Sequence, residues 1–189
     1  MKRLHQMLLI GTFMPLCWLA MMAVHELGHV ACAMISGGTV ERVVLHPLTV
    51  SRTDVSPNPS PLFVTWGGPC MGVVLPLALL LATKCGGFKW SFLLQFFAGF
   101  CLIANGAYVG VGSVGKIGDA GDMLRHGSPT WTLWLFGIVT LPFGLYSWNG
   151  LGPHFGLGKA AGKVDHGAAY ASCGLLLVML ILEMIFSSS

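Results

Sequence analysis

Apolar residues along this chain gather into runs too long for the surface helices of a soluble domain. They cover about Met7–Ile35, Leu62–Thr83, Trp90–Val111, Trp131–Trp148 and Gly167–Phe186. A helix needs about 20 apolar residues to cross the hydrocarbon core of a bilayer, so each run reads as a transmembrane helix. The pattern changes after Gly37-Gly38, a pair that stops the first helix. From Thr39 to Val55 β-branched residues are dense, with Pro47 in the middle. This predicts two short strands, Val40–Leu45 and Leu48–Thr53, paired as a hairpin at the membrane surface. Ser56-Pro-Asn-Pro-Ser-Pro61 is a stiff, extended connector. The expected fold is an all-α polytopic membrane protein, with about five transmembrane helices and a small surface β-hairpin after the first. It reads as one membrane-embedded unit over residues 1–189, with a core over about 7–124 and accessory helices over about 130–187.

Composition strengthens this reading. Only 9% of residues are charged and the mean hydropathy is +0.76, against about 25% charged in an ordinary soluble domain. The net charge of +3 is spread in ones and twos. No basic patch with interleaved aromatics is present, which excludes a nucleic-acid partner. The segment Gly110-Val-Gly-Ser-Val-Gly115 spells a dinucleotide-binding fingerprint, but no strand precedes it and no acidic ribose partner follows at the right distance. Met1-Lys2-Arg3 before an apolar run mimics a secretory leader. No A-x-A cleavage site follows, so the run is expected to be a retained transmembrane helix. Of the six cysteines, Cys17, Cys32, Cys70 and Cys101 lie in apolar runs with no C-x-x-C spacing, and read as free thiols.

The chemistry is concentrated in His25-Glu26-Leu27-Gly28-His29, inside the first run. Residues i and i+4 share one helix face, so both imidazoles can reach one metal ion. Glu26 is placed as a general base beside them. A helix from Met7 carries His25 about 27 Å onward, toward the far interface, where water has access. A catalytic zinc takes three protein ligands, so one more is needed. The remaining candidates are Glu41, Asp54, Asp119, Asp122, Asp165 and Glu183, with His5, His46, His126, His154 and His166. Counting spans puts Asp119 and Asp122 at the same membrane face as the His-Glu motif. His5, His154, Asp165 and His166 fall on the opposite face. Glu41, His46 and Asp54 sit on the hairpin, away from the helix bundle. His126 and Glu183 reach the motif's side but are weaker candidates, and Glu183 is expected to snorkel to the interface. The spans favour Asp119 or Asp122.

These residues together resemble the site-2 protease family of intramembrane zinc metalloproteases. The resemblance lies in His25–His29, Gly37-Gly38-Thr-Val-Glu-Arg-Val-Val44, Gly67-Gly68-Pro69 and Asp119-Ala-Gly-Asp-Met-Leu124, and covers roughly Met7 to Leu124. It implies His25, His29 and Asp119 as zinc ligands and Glu26 as general base. Asp119 is preferred over Asp122 because Ala120-Gly121 follows it as small residues do in the family. Two departures stand out. Gly72 occupies a position where the family usually has asparagine, three residues after Gly-Pro. Asn105 and a proline-free glycine stretch replace the family's asparagine-and-proline approach to the aspartate. No PDZ-like insertion is found.

The leading expectation is an intramembrane zinc metalloendopeptidase that hydrolyses membrane-spanning or membrane-associated proteins or peptides. Its partners are then a membrane protein or peptide substrate and the lipid bilayer. The resemblance also implies that the hairpin receives the unwound substrate. The alternative is a non-catalytic metal-binding membrane protein, either a degenerate homologue or a metal transporter. A third reading, a prenyl-protease-like enzyme, makes Glu183 the third ligand. The localisation follows as multi-pass integral membrane, in the cell membrane if the source is prokaryotic. Lys2, Arg3, Lys84, Lys89, Lys159 and Lys163 on the N-terminal side outweigh Arg42, Arg52, Lys116 and Arg125 on the other. That margin leans toward a cytoplasmic N-terminal side, whereas the resemblance implies that the site opens to the cytosol.

Overall fold

The computed structural model describes residues 2–47 and 51–187. Helix α1 (Lys2–Ile35) leads into strands β1 (Val40–Val44) and β2 (Arg52–Val55), then α2 (Pro61–Cys85) and α3 (Ser91–Gly115). A short α4 (Gly118–Arg125) precedes α5 (Thr130–Ser147), and two 3₁₀ turns lead to α6 (His166–Ser187). Helices α1, α2, α3 and α6 are long and apolar enough to cross a membrane. Helix α5 has 18 residues, about 27 Å of helix, a little under the hydrocarbon thickness of about 30 Å. It lies along α3 through paired small residues: a Cβ on Gly144 would sit 2.7 Å from the Gly99 carbonyl, and one on Gly137 3.0 Å from that of Gly106. The protein is a multi-pass integral membrane protein. Exposed residues such as Val111, Leu81, Ile138 and Leu177 face lipid along its sides.

Helix α5 returns the chain to the level of its start. Leu151 and Phe155, just beyond it, share a core cluster with Leu9, Phe13 and Cys17 of α1. His5 stacks on His166 at 3.8 Å and its Nε2 lies 3.1 Å from the Tyr170 hydroxyl. The first turns of α1 and α6 therefore sit side by side. Asp165 caps α6 by accepting the Ala168 N–H at 3.0 Å and pairs with Lys89 at 2.6 Å. The hydrogen bond from Lys89 holds its carboxyl below the usual range. The tie is thus present at neutral pH and is lost only in acid below that depressed value.

Several expectations are corrected. The hairpin forms, but its second strand spans Arg52–Val55 rather than Leu48–Thr53; Leu48–Val50 lie outside the described residues. The strands are antiparallel, with Val43 opposite Thr53 and an irregularity between Val40 and Arg42. The hairpin is not held away from the bundle: both strands contact α1, and β1 also contacts α6. Residues 110–115, which spell the dinucleotide-binding fingerprint, are the last turns of α3. Residues 118–125, glycine-containing and polar, form a helix because Ala120 and Met123 bury completely against Val109 and Leu133. Glu183 does not snorkel. It is fully buried, and neither carboxyl oxygen has a hydrogen-bond partner.

Candidate metal centre

Helix α1 presents His25, Glu26 and His29, all buried, on the side that α2 and β2 cover. The covering helix comes unusually close. A Cβ on Gly28 would lie 2.2 Å from the Gly67 carbonyl oxygen, so two glycines make the crossing. One residue on, a Cβ at Gly68 would lie 2.4 Å from His29 Nε2 and 2.7 Å from His25 Nε2. The bare backbone of α2 forms one wall of the site.

Both imidazoles are fixed from behind. His29 Nδ1 lies 2.8 Å from the Val64 carbonyl, which only accepts, so Nδ1 carries the proton. His25 Nδ1 lies 2.7 Å from Asn105 Oδ1. The Asn105 amide is oriented by its other end, where Nδ2 donates to the Cys101 carbonyl at 2.9 Å. His25 Nδ1 is therefore the donor as well. In the neutral rings both Nε2 atoms are left with a lone pair, and both point at one spot. Such outer partners orient metal-ligating histidines and set their tautomer.

Asp119 meets them there. Its Oδ2 is 2.8 Å from His25 Nε2 and 3.2 Å from His29 Nε2. Helix α3 ends on Lys116 with φ of 53°, and Gly118 also has positive φ. This sharp reversal, with α4 docked beneath, aims Asp119 back toward α1. Burial would raise the Asp119 carboxyl, but the pull of His25 and His29 in their protonated, imidazolium form outweighs that and holds it well below the ordinary range. Among the described residues, His25, His29 and Asp119 are the group able to hold a metal ion, with donor atoms within 4.8 Å of one another. Two imidazole lone pairs and a carboxylate facing each other repel unless a cation or protons lie between them. Two imidazoles and a carboxylate are a donor set that a zinc ion accepts, with ligands about 2.0–2.1 Å from the ion and so about 3.3 Å apart.

Glu26 is beside this group but not in it. Its Oε2 accepts a hydrogen bond from Thr53 of β2 at 2.7 Å. Glu26, His29 and Asp119 line a cleft of about 650 Å³, bounded by β2 and by Tyr108, Asp122 and His126. Asp122 stays outside the donor group and pairs with Arg125 on the surface. Glu41 and Asp54 stand at the cleft, not among the donors, and Glu183 is likewise outside the group. That removes the geometric basis for a prenyl-protease-like site. Sequence reasoning missed Thr53, Tyr108 and the Val64 carbonyl; a strand threonine and a backbone oxygen carry no pattern that marks them. Replacing Thr53 with valine keeps shape but removes a hydrogen bond to a charged group, worth about 1.5–3 kcal/mol. The expected result is a hairpin less firmly seated on α1, read as faster amide exchange over Arg52–Val55, with metal content unchanged on elemental analysis.

The departure at position 72 has a local cause. A Cβ on Gly72 would lie 2.6–2.8 Å from the Asn105 amide atoms. Asn105 of α3 fills the volume that a side chain at 72 would take, and it spends its amide on orienting His25.

A family model described as Peptidase M50B-like matches residues 5–109, more than half of the chain. The match includes His25, Glu26, His29 and Asn105 and stops short of Asp119, whose place at the site rests on geometry. No curated protein and no solved structure matches the chain.

Proposed function

The chain belongs to the Peptidase M50B-like family, and from that membership we propose that it is an intramembrane zinc metalloendopeptidase acting on membrane-spanning or membrane-associated polypeptides. The observation that carries this reading is the convergence of His25 Nε2, His29 Nε2 and Asp119 Oδ2 with Glu26 alongside. A zinc ion held by these three residues would supply Lewis acidity and make water nucleophilic near neutral pH. Glu26 takes the proton from the attacking water, held toward the cleft by Thr53, and returns it to the leaving amine. Asn105 and Val64 keep both imidazoles in the ligating tautomer throughout.

A transmembrane helix hides its carbonyls in its own hydrogen bonds, so a substrate must unwind before it can be cut. Strand β2 pairs with β1 on one side only, among the described residues. Its other edge is unpaired among the described residues, and Arg52–Val55 line the cleft beside Glu26. Unpaired N–H and C=O groups on that edge are suited to an extended substrate segment, which would add as a third strand.

The test compares purified wild type with Asp119→Ala and Asp122→Ala. Wild type is expected to retain zinc and to cut a membrane-spanning peptide in vesicles until a chelator removes the metal. Asp119→Ala is expected to weaken zinc binding beyond the 10- to 100-fold typical of losing an outer partner. Asp122→Ala is expected to bind as wild type does. Zinc lost from the Asp122 variant and kept by the Asp119 variant would reject the ligand set.

A further inference from the structure

Hydrolysis of a peptide bond places charge on the carbonyl oxygen as water adds to the carbon. A donor aimed at that oxygen accelerates the step because it binds the transition state more strongly than the substrate. Asn105 is the obvious candidate by sequence, but its amide is committed at both ends and it is 1% exposed. Thr53 gives its proton to Glu26, and Thr65 gives its own to the Pro61 carbonyl. Arg52 is held by Asp54 on the exposed face of the hairpin.

Tyr108 remains. It lies one turn beyond Asn105 on α3, is 36% exposed and lines the cleft. Its ring meets that of His25 edge to face, with centroids 5.8 Å apart. Its hydroxyl oxygen accepts the backbone N–H of Asp119 at 3.1 Å. That bond fixes the oxygen beside the donor group and leaves the hydroxyl proton without an acceptor among the described contacts. The chain makes room for this oxygen. A Cβ on Gly118 would lie 2.1 Å from it, and the positive φ of Gly118 independently disfavours any other residue there.

We propose that Tyr108 donates its O–H to the substrate carbonyl oxygen as the tetrahedral intermediate forms, an inference that rests on the protease reading. Water adds to the carbonyl carbon, the C=O π pair moves onto oxygen, and Tyr108 stabilises that charge without giving up its proton. The pair on oxygen then re-forms the C=O bond as the C–N bond breaks, and the C–N pair leaves on nitrogen, which receives the proton carried by Glu26. The two ends of the hydroxyl thus do separate things: the lone pair holds the start of α4, and the proton faces the substrate.

The experiment uses Tyr108→Phe in the full chain, with a fluorophore-labelled unstructured polypeptide as probe and zinc titration as a second readout. Tyr108→Phe also removes the bond to the Asp119 N–H, so rates are compared at saturating zinc, where a fall in kcat of about 10²- to 10³-fold with KM unchanged is expected for a lost oxyanion donor. A kcat that returns to the wild-type value once zinc is saturating would overturn the proposal and make Tyr108 a positioning residue for Asp119. An unchanged kcat would also overturn it. If Glu26→Gln is inert while Tyr108→Phe cuts at the wild-type rate, this inference fails and the protease reading stands. A wild type that binds zinc and cuts no polypeptide overturns both.

Discussion

Glu26→Gln is expected to keep its zinc and to lose cleavage by about 10⁴-fold, the upper end for removal of a general acid–base group. Glu26 is 5% exposed and stands outside the group of metal donors, so changing it leaves the three ligands in place. Glutamine has the same shape, and its carbonyl oxygen still accepts the Thr53 hydroxyl now bonded at 2.7 Å. The hairpin should therefore stay seated on α1. What is lost is the lone pair that takes a proton from water, because an amide is not a base at neutral pH. Glu26→Asp separates position from basicity. It keeps a carboxylate but withdraws it by one methylene, and a displacement of about 1 Å costs on the order of 10²-fold. The expected order is wild type, then Asp, then Gln, with equal zinc content in all three. A Gln variant within tenfold of wild type, fully metallated, would remove Glu26 from the chemistry.

How much of this was legible in the sequence depends on the range of the interaction involved. His25 and His29 were legible because one helical turn sets their spacing, and an ionisable triplet inside an apolar run has no cheap alternative role. Asp119 was narrowed to a pair by counting spans, which fixes depth in the membrane but not direction. Choosing between Asp119 and Asp122 by geometry needs α4, and α4 was not legible. Its glycines and aspartates favour a loop, and only the burial of Ala120 and Met123 makes it a helix. The hairpin was legible as strands, but its contact with Glu26 was not, because alternation along a strand does not say which helix the strand will cover. Gly72 and Asn105 form a third case. Each looks like a departure from the family pattern, and only their contact in space shows that one compensates for the other. Glu183 lies near a helix end, where sequence predicts a snorkelling side chain. The contact of α6 with both α1 and β1 closes off the interface it would have reached.

The same dependence on close approach makes Gly68→Ala the substitution expected to do most damage without touching a ligand. Its new methyl would stand 2.4 Å from His29 Nε2, 2.6 Å from His29 Cε1 and 2.7 Å from His25 Nε2. Real contacts of this kind need about 3.4 Å or more, so α2 and α1 must separate by roughly 1 Å or both rings must turn. Neither adjustment is local. Separation opens the Gly28–Gly67 crossing, and turning the rings breaks the bonds to Val64 and Asn105 that hold Nε2 on the metal side. Overpacking of this sort costs about 1–3 kcal/mol in stability. The larger effect is on the site, where Nε2 is displaced from both directions at once. We expect no stoichiometric zinc in purified Gly68→Ala, and cleavage at background. Gly11→Ala is the control: it lies in α1, and its added Cβ meets nothing within 4 Å. It should match wild type in zinc content and rate. A Gly68→Ala protein that binds zinc stoichiometrically would mean that α2 does not pack against the imidazoles as described, and the wall of the site would have to be sought elsewhere.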